Sequence, residues 1–217
     1  MNTLLFDMDG IVVDSVGYWN EIRAEIITEK LSVNDVSISE LVGMNAEDEY
    51  EYLAKNHELP LPKAAYVSLI DEYAETVYRE YVTIFPKFET ILRDATENGI
   101  SVGLVSASPR RRVEMVLDRF GFETYLDIVV AGDDLSGPSK PDPTIYEHTA
   151  SRLGVPTDAC VTVEDSEHGV TAAKEAGMYC LGYACHSGQP LERANETFEK
   201  RDVLRARLRE LCNSGDV

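Results

Sequence analysis

Thr3-Leu4-Leu5-Phe6-Asp7-Met8-Asp9-Gly10 is the stretch from which the rest of the chain can be read. Its apolar run suits a parallel strand covered on both faces, and in such sheets ligands sit beyond the carboxyl ends of the strands. Asp7 and Asp9 fall at that end. Residues two apart in a strand project to the same side, and Gly10 lets the backbone turn away. Two carboxylates on one rim suit a hard divalent cation such as Mg2+, which takes one or two carboxylates together with waters and a substrate phosphate. A solvated acidic turn explains Asp-x-Asp-Gly equally well if the motif stands alone.

It does not stand alone. From Ile84 onward, helical patterns alternate with short apolar strands at Ser101–Val105, Ile128–Ala131, Val161–Val163 and Tyr179–Tyr183, as in a parallel sheet with crossover helices. Gly99, Gly121, Gly154 and Gly177 follow the intervening helices where a helix-ending glycine is expected. Between Val16 and Thr83 the apolar residues recur at helical spacing: Trp19, Ile22 and Ile26, then Tyr50 and Leu53, then Tyr66, Ile70, Tyr73 and Val77. The first strand precedes this helical block and its sheet partners follow it. The block therefore reads as an insertion, residues 15–83, into a discontinuous core of residues 1–14 and 84–217, and it is expected to sit as a lid over the strand tips.

Each predicted strand ends in polar residues. Val105 is followed by Ser106-Ala107-Ser108-Pro109, whose hydroxyls and amides open a helix and suit an anion. Lys140 lies between turn residues in Ser139-Lys140-Pro141, where its ammonium can act as a point charge toward phosphate. Val163 is followed by Glu164-Asp165-Ser166 at the start of a helix. Singly, these are ordinary caps and turns. In order, at successive strand ends, they are the inventory that phosphoryl transfer requires.

Asp7-Met8-Asp9-Gly10, Ser106, Lys140-Pro141 and Glu164-Asp165 resemble the four motifs of the haloacid dehalogenase superfamily, and the helical insertion resembles its C1 cap. The resemblance implies an α/β fold: a Rossmann-like parallel sheet core with an inserted α-helical cap domain. It implies that Asp7 is the nucleophile and Asp9 the general acid and base. Ser106, Ala107 and Lys140 would hold the phosphoryl group, and Asp7, Asp9, Glu164 and Asp165 would hold Mg2+. Trp19, Gly43 and Met44 would face the substrate from the cap. Dehalogenases of the superfamily lack an acid at the second position, so Asp9 implies phosphate chemistry.

The sequence is most similar to the branch of sugar-phosphate phosphatases, phosphoglycolate phosphatase and β-phosphoglucomutase. It has Trp19 where the mutase has His, and Val42 and Ala46 where the mutase has cations that grip a second phosphate. The implied activity is hydrolysis of a small phosphorylated metabolite, a sugar or polyol phosphate or phosphoglycolate. A phosphomutase and a non-catalytic phosphometabolite-binding module are the alternatives, and the expected assembly is a monomer or weak homodimer.

The 217 residues carry 39 Asp and Glu against 20 Lys and Arg, a formal net charge of −19. That surplus repels polyanions, so nucleic acid is not an expected partner. No apolar run is long enough to span a bilayer, and the expected location is the cytoplasm. Cys160, Cys180, Cys185 and Cys212 form no Cys-x-x-Cys pair and read as reduced, buried thiols rather than metal ligands. With only seven Lys on the chain, the acidity resembles that of proteins adapted to high salt. If self-repulsion limits stability, the thermal midpoint should rise with KCl, steeply up to about 1 M, where the screening length falls to roughly 3 Å. A midpoint that is flat or falls across a KCl titration would show that the surface charge is not a stability burden.

Overall fold

The computed structural model describes residues 2–41, 44–184 and 191–214. Six strands form one parallel sheet: β1 Thr3–Phe6, β2 Ser101–Val105, β3 Ile128–Val130, β4 Cys160–Glu164, β5 Tyr179–Tyr183 and β6 Glu196–Phe198. Their spatial order is β3-β2-β1-β4-β5-β6. This is the doubly wound order, in which the direction of winding reverses between β1 and β4 and opens a crevice at the carboxyl ends of those two strands. Phe6 lies opposite Leu104 of β2 and Val163 of β4, so the residues just past all three strands meet at one edge.

Both faces of β1 are covered. Leu4 and Phe6 pack into a large cluster with Leu92, Val116 and Leu208, on α4 (Phe88–Glu97), α5 (Arg110–Phe120) and α8 (Arg201–Ser214). Leu5 points the other way, into a cluster with Tyr146 and Val170 on α6 (Thr144–Leu153) and α7 (Glu167–Glu175). The continuous apolar run of β1 is thus the signature of a central strand, and burying each of these side chains contributes about 1.5–3 kcal/mol. Gly121 and Gly154 end α5 and α6 in the left-handed conformation, as the sequence predicts. Strand β6 was not expected. It is a three-residue edge strand, Glu196-Thr197-Phe198, too short to show an apolar pattern and held by its pairing with β5.

Between β1 and β2 the chain forms α1 (Val16–Glu25), α2 (Ala46–Ala54) and α3 (Lys63–Thr76). α1 runs on into a wide π turn at Ile26–Lys30, and α3 into another at Val77–Tyr81. Outgoing and returning segments lie side by side: Asp14 N donates to Thr83 O at 2.9 Å, and Phe85 N to Val12 O at 3.0 Å. Asn45 caps α2 by accepting from Asp48 N at 2.9 Å. No helix among the described residues is long and apolar enough to cross a membrane.

The register makes Gly103 a test of the central packing. A Cβ there would lie 2.7 Å from Leu5 Cδ2 and 2.8 Å from Ile128 Cγ2. Gly103→Ala should lower stability by about 1–3 kcal/mol through overpacking. Urea denaturation checks this, and an unchanged midpoint would show that β1, β2 and β3 are not packed in this register.

Candidate active site

Asp7 follows β1 directly and continues the ladder, its backbone N donating to Val163 O at 3.0 Å. Its buried side chain meets Lys140, whose Nζ donates to Asp7 Oδ1 at 2.7 Å, to Glu164 Oε1 at 2.6 Å and to Val105 O at 3.3 Å. Lys140 thereby joins the ends of β1, β2 and β4 through one ammonium group. Glu164 also accepts from the Tyr146 hydroxyl. Gly169 and Gly10 permit the crowding: a Cβ on Gly169 would lie 2.0 Å from Glu164 Oε2, and one on Gly10, at φ +78°, would lie 1.9 Å from Asp165 Oδ2.

Carboxylate oxygens of Asp7, Glu164 and Asp165, all buried, lie within 4.8 Å of one another. Burial pushes the Asp7 carboxyl well above the usual carboxylate range, against the pull of Lys140. Burial, and then the neighbouring Asp7 and Glu164 carboxylates, do the same to Asp165. Lys140 is shifted upward by Asp7 and Glu164 despite its burial, and stays charged. One ammonium against so many acids leaves a surplus of negative charge. Glu164 Oε2 is moreover buried with no hydrogen-bond partner. An all-oxygen donor set of this kind fits a hard divalent cation.

Asp9 points elsewhere. Its Oδ1 accepts from the Ser15 hydroxyl at 2.6 Å and the Tyr78 hydroxyl at 2.7 Å, and its Oδ2 accepts from the Ser108 hydroxyl at 3.1 Å. Two of these donors, Ser15 and Tyr78, belong to the segment between β1 and β2, so the second acid of Asp7-Met8-Asp9 is held by the helical insertion while the first is held by the sheet. Ser15 stands at the N-cap position of α1 but makes no capping hydrogen bond with its side chain. Tyr78 in turn accepts from Trp19 Nε1 at 3.1 Å. Burial, and then the Asp9 carboxylate, push the Tyr78 hydroxyl far up, keeping it a donor.

Asp7, Asp9, Ser106, Ala107, Lys140, Asp165, Trp19 and Met44 all line one cleft. Ser106 is buried and accepts from Ser108 N at 3.1 Å. Glu164 lies behind the cleft, bonded to Lys140. Gly43 and Val42 fall outside the described residues, as do Cys185 and His186. Cys160, Cys180 and Cys212 are free and buried. Sequence reasoning missed Ser15, Tyr78, Arg23 and Arg112 as cleft or Asp9 partners. Only Tyr78 carried a signal, a tyrosine one residue beyond the apolar stripe of α3.

The sequence profile of the haloacid dehalogenase-like hydrolase family matches residues 4–183. The chain belongs to that family. It is 31% identical over 179 residues to hexitol phosphatase B of Escherichia coli, a match covering 80% of this chain and 79% of the relative. It is 26% identical over 211 residues to a phosphoglycolate phosphatase of Vibrio cholerae, covering 92% of each. Its fold is similar to that of CbbY from Rhodobacter sphaeroides in complex with xylulose-(1,5)bisphosphate, with a TM-score of 0.78 and 20% identity over 92% of this chain and 94% of that one. The parallel sheet of this haloacid dehalogenase-like hydrolase is thus the α/β core that the sequence led one to expect.

The raised carboxyls have a measurable consequence for metal binding. Burial raises the Asp7 and Asp165 carboxyls, so each holds its proton to higher pH than an ordinary carboxyl when no cation is bound, and a cation must compete with that proton. A carboxyl raised on folding stabilises the metal-free protein below the ordinary carboxylate range, and that stability is lost as pH rises through the raised values. The stabilisation by Mg2+ should grow over the same window, by up to about 1.4 kcal/mol per pH unit for each proton displaced. Thermal melts with and without MgCl2, at about pH 5.5 and about pH 8, should show the larger gain at the higher pH. An equal gain would mean that the carboxyls are already ionised.

Proposed function

We propose that this chain is a Mg2+-dependent phosphomonoester hydrolase acting on a small phosphorylated metabolite, with residues 15–83 serving as its cap. The observation that carries the reading is the burial of Asp7 against Lys140 and beside Asp165, at the mouth of a cleft whose other wall presents Asp9. Names of relatives support the class: a hexitol phosphatase and a phosphoglycolate phosphatase.

In this reading an oxygen of Asp7 attacks phosphorus. As the new O–P bond forms, the ester O–P bond breaks and the leaving alkoxide takes a proton from Asp9. Water then attacks the aspartyl phosphate and gives its proton to Asp9, releasing inorganic phosphate and restoring Asp7. Ser106, the Ala107 backbone and Lys140 bind the phosphoryl oxygens as charge shifts among them. Lys140 exchanges part of its bonding to Asp7 and Glu164 for the incoming phosphate. Asp7 and Asp165, with Glu164 and the Asp9 backbone carbonyl, would hold Mg2+, which when bound offsets the repulsion between an anionic nucleophile and an anionic ester. Asp9 must give up its Tyr78, Ser15 or Ser108 bonds to reach the leaving oxygen, which ties its chemistry to the position of the cap.

Asp7→Asn keeps the volume and removes the nucleophile. Phosphate release from a panel of monoesters in the presence of Mg2+ should fall on the order of 10⁴-fold or more, with the circular dichroism spectrum unchanged. A variant retaining a tenth or more of the activity would reject the covalent route.

A further inference from the structure

Two guanidinium groups enter the same cleft from different parts of the fold. Arg23 comes from α1 and Arg112 from the first turn of α5, and both line the cleft with Asp7, Asp9 and Lys140. Their Cζ atoms lie over the Trp19 ring, 5.6 Å and 5.4 Å from its centroid. Aromatic faces hold guanidinium planes in this way, but two like charges on one ring repel unless anions lie near both.

Each has a single carboxylate partner. Arg23 Nε donates to Glu49 Oε2 at 3.2 Å, and Glu49 is 1% exposed, its other oxygen accepting from the Tyr66 hydroxyl at 2.7 Å. Arg112 Nη2 donates to Asp71 Oδ1 at 2.7 Å. Arg112 is only 8% exposed, and its Nε is buried with no hydrogen-bond partner. A guanidinium offers five N–H donors, and these contacts use one from each. The largely buried Arg23–Glu49 pair gains little over apolar residues of the same size, so packing alone does not call for Arg23. Both side chains line the cleft with donors left over, and a guanidinium fork matches the planar, two-oxygen face of a carboxylate or phosphate in geometry.

We propose that Arg23 and Arg112, held over Trp19, form a second anion-binding subsite, and that the substrate carries a second anionic group, a carboxylate or a second phosphate, remote from the ester that is cleaved. This rests on the phosphatase reading and narrows it.

Matched substrates decide it. With wild-type protein and Mg2+, kcat and KM are compared for sorbitol 6-phosphate, 6-phosphogluconate and sorbitol 1,6-bisphosphate. The same is done for glycerol 1-phosphate, 3-phosphoglycerate and glycerol 1,3-bisphosphate, so that chain length and far-end charge vary separately. At one length or both, a doubly anionic member should exceed its neutral partner by about tenfold or more in kcat/KM; whether acid or bisphosphate leads tells carboxylate from phosphate. In Arg112→Gln and Arg23→Gln that ratio should fall toward one through KM, with partial return in Arg112→Lys. Neutral esters turned over as well as both charged partners at both lengths would overturn the subsite while leaving the phosphatase reading intact, and this comparison needs no variant. A preference unmoved in both Gln variants would overturn it as well. No phosphate release from any of the six would sink the phosphatase reading and the subsite with it.

Discussion

Crowding of acids around a single buried ammonium is the constraint on which the rest of this structure depends. Lys140 is 5% exposed and bonded to Asp7, Glu164 and the end of β2. Removing two charges from water is expensive, and the penalty is met only when geometry and further hydrogen bonds are good. That demand explains much of the surroundings. The doubly wound strand order brings the ends of β1, β2 and β4 together. Gly10 and Gly169 leave room for Asp165 and Glu164 where any side chain would collide. Tyr146 supplies Glu164 with a second donor. Burial first, and then the surplus of neighbouring carboxylates, keeps Asp7 and Asp165 raised, and an all-oxygen cluster of this kind fits a cation.

The helical insertion is coupled to this centre through Asp9 and not through Asp7. Ser15 and Tyr78, at its two ends, hold one oxygen of Asp9. Trp19 holds Tyr78 from within. Tyr78 sits in a π turn, a local widening of the helix that is frequent at functional sites and here accompanies the delivery of the hydroxyl to the cleft. Because the outgoing and returning segments are paired at Val12–Asp14 and Thr83–Phe85, a rotation of the insertion about that pair would move Tyr78 and Trp19 together and change which donors Asp9 sees. The acid that must change partners in the proposed reaction is thus the one bonded to the insertion.

The fold was largely legible because its signals are local. Short, largely apolar runs marked β1 to β5, and glycines marked the helix ends. The sheet residues of the candidate site were legible for a related reason: strand ends in a parallel sheet converge, so polar residues just after each strand can be placed without coordinates. Tyr78, Arg23 and Arg112 were not legible. Their roles depend on how a helix in the insertion faces the sheet, and a tyrosine or arginine on an amphipathic helix reads equally well as core or surface. Strand β6 failed for a different reason, since three residues are too few to carry a periodicity and become a strand only by pairing with β5.

Charge ties these parts together. A chain with a net charge of −19 repels an anionic substrate at long range, and salt weakens that repulsion without removing it at the scale of a cleft. Binding then depends on cations placed where they are shielded from solvent and from the acidic surface. Three are found in the cleft wall, Lys140, Arg23 and Arg112, and each is oriented by a carboxylate that it partly neutralises. The division of labour follows from chemistry. Lys140, a compact charge with three donors, faces the group where phosphorus would sit. The two planar guanidinium groups lie over Trp19, where they can match the oxygens of a second anion. In the proposed reading the attraction for an anionic substrate comes from these cleft cations, against the net repulsion of an acidic chain.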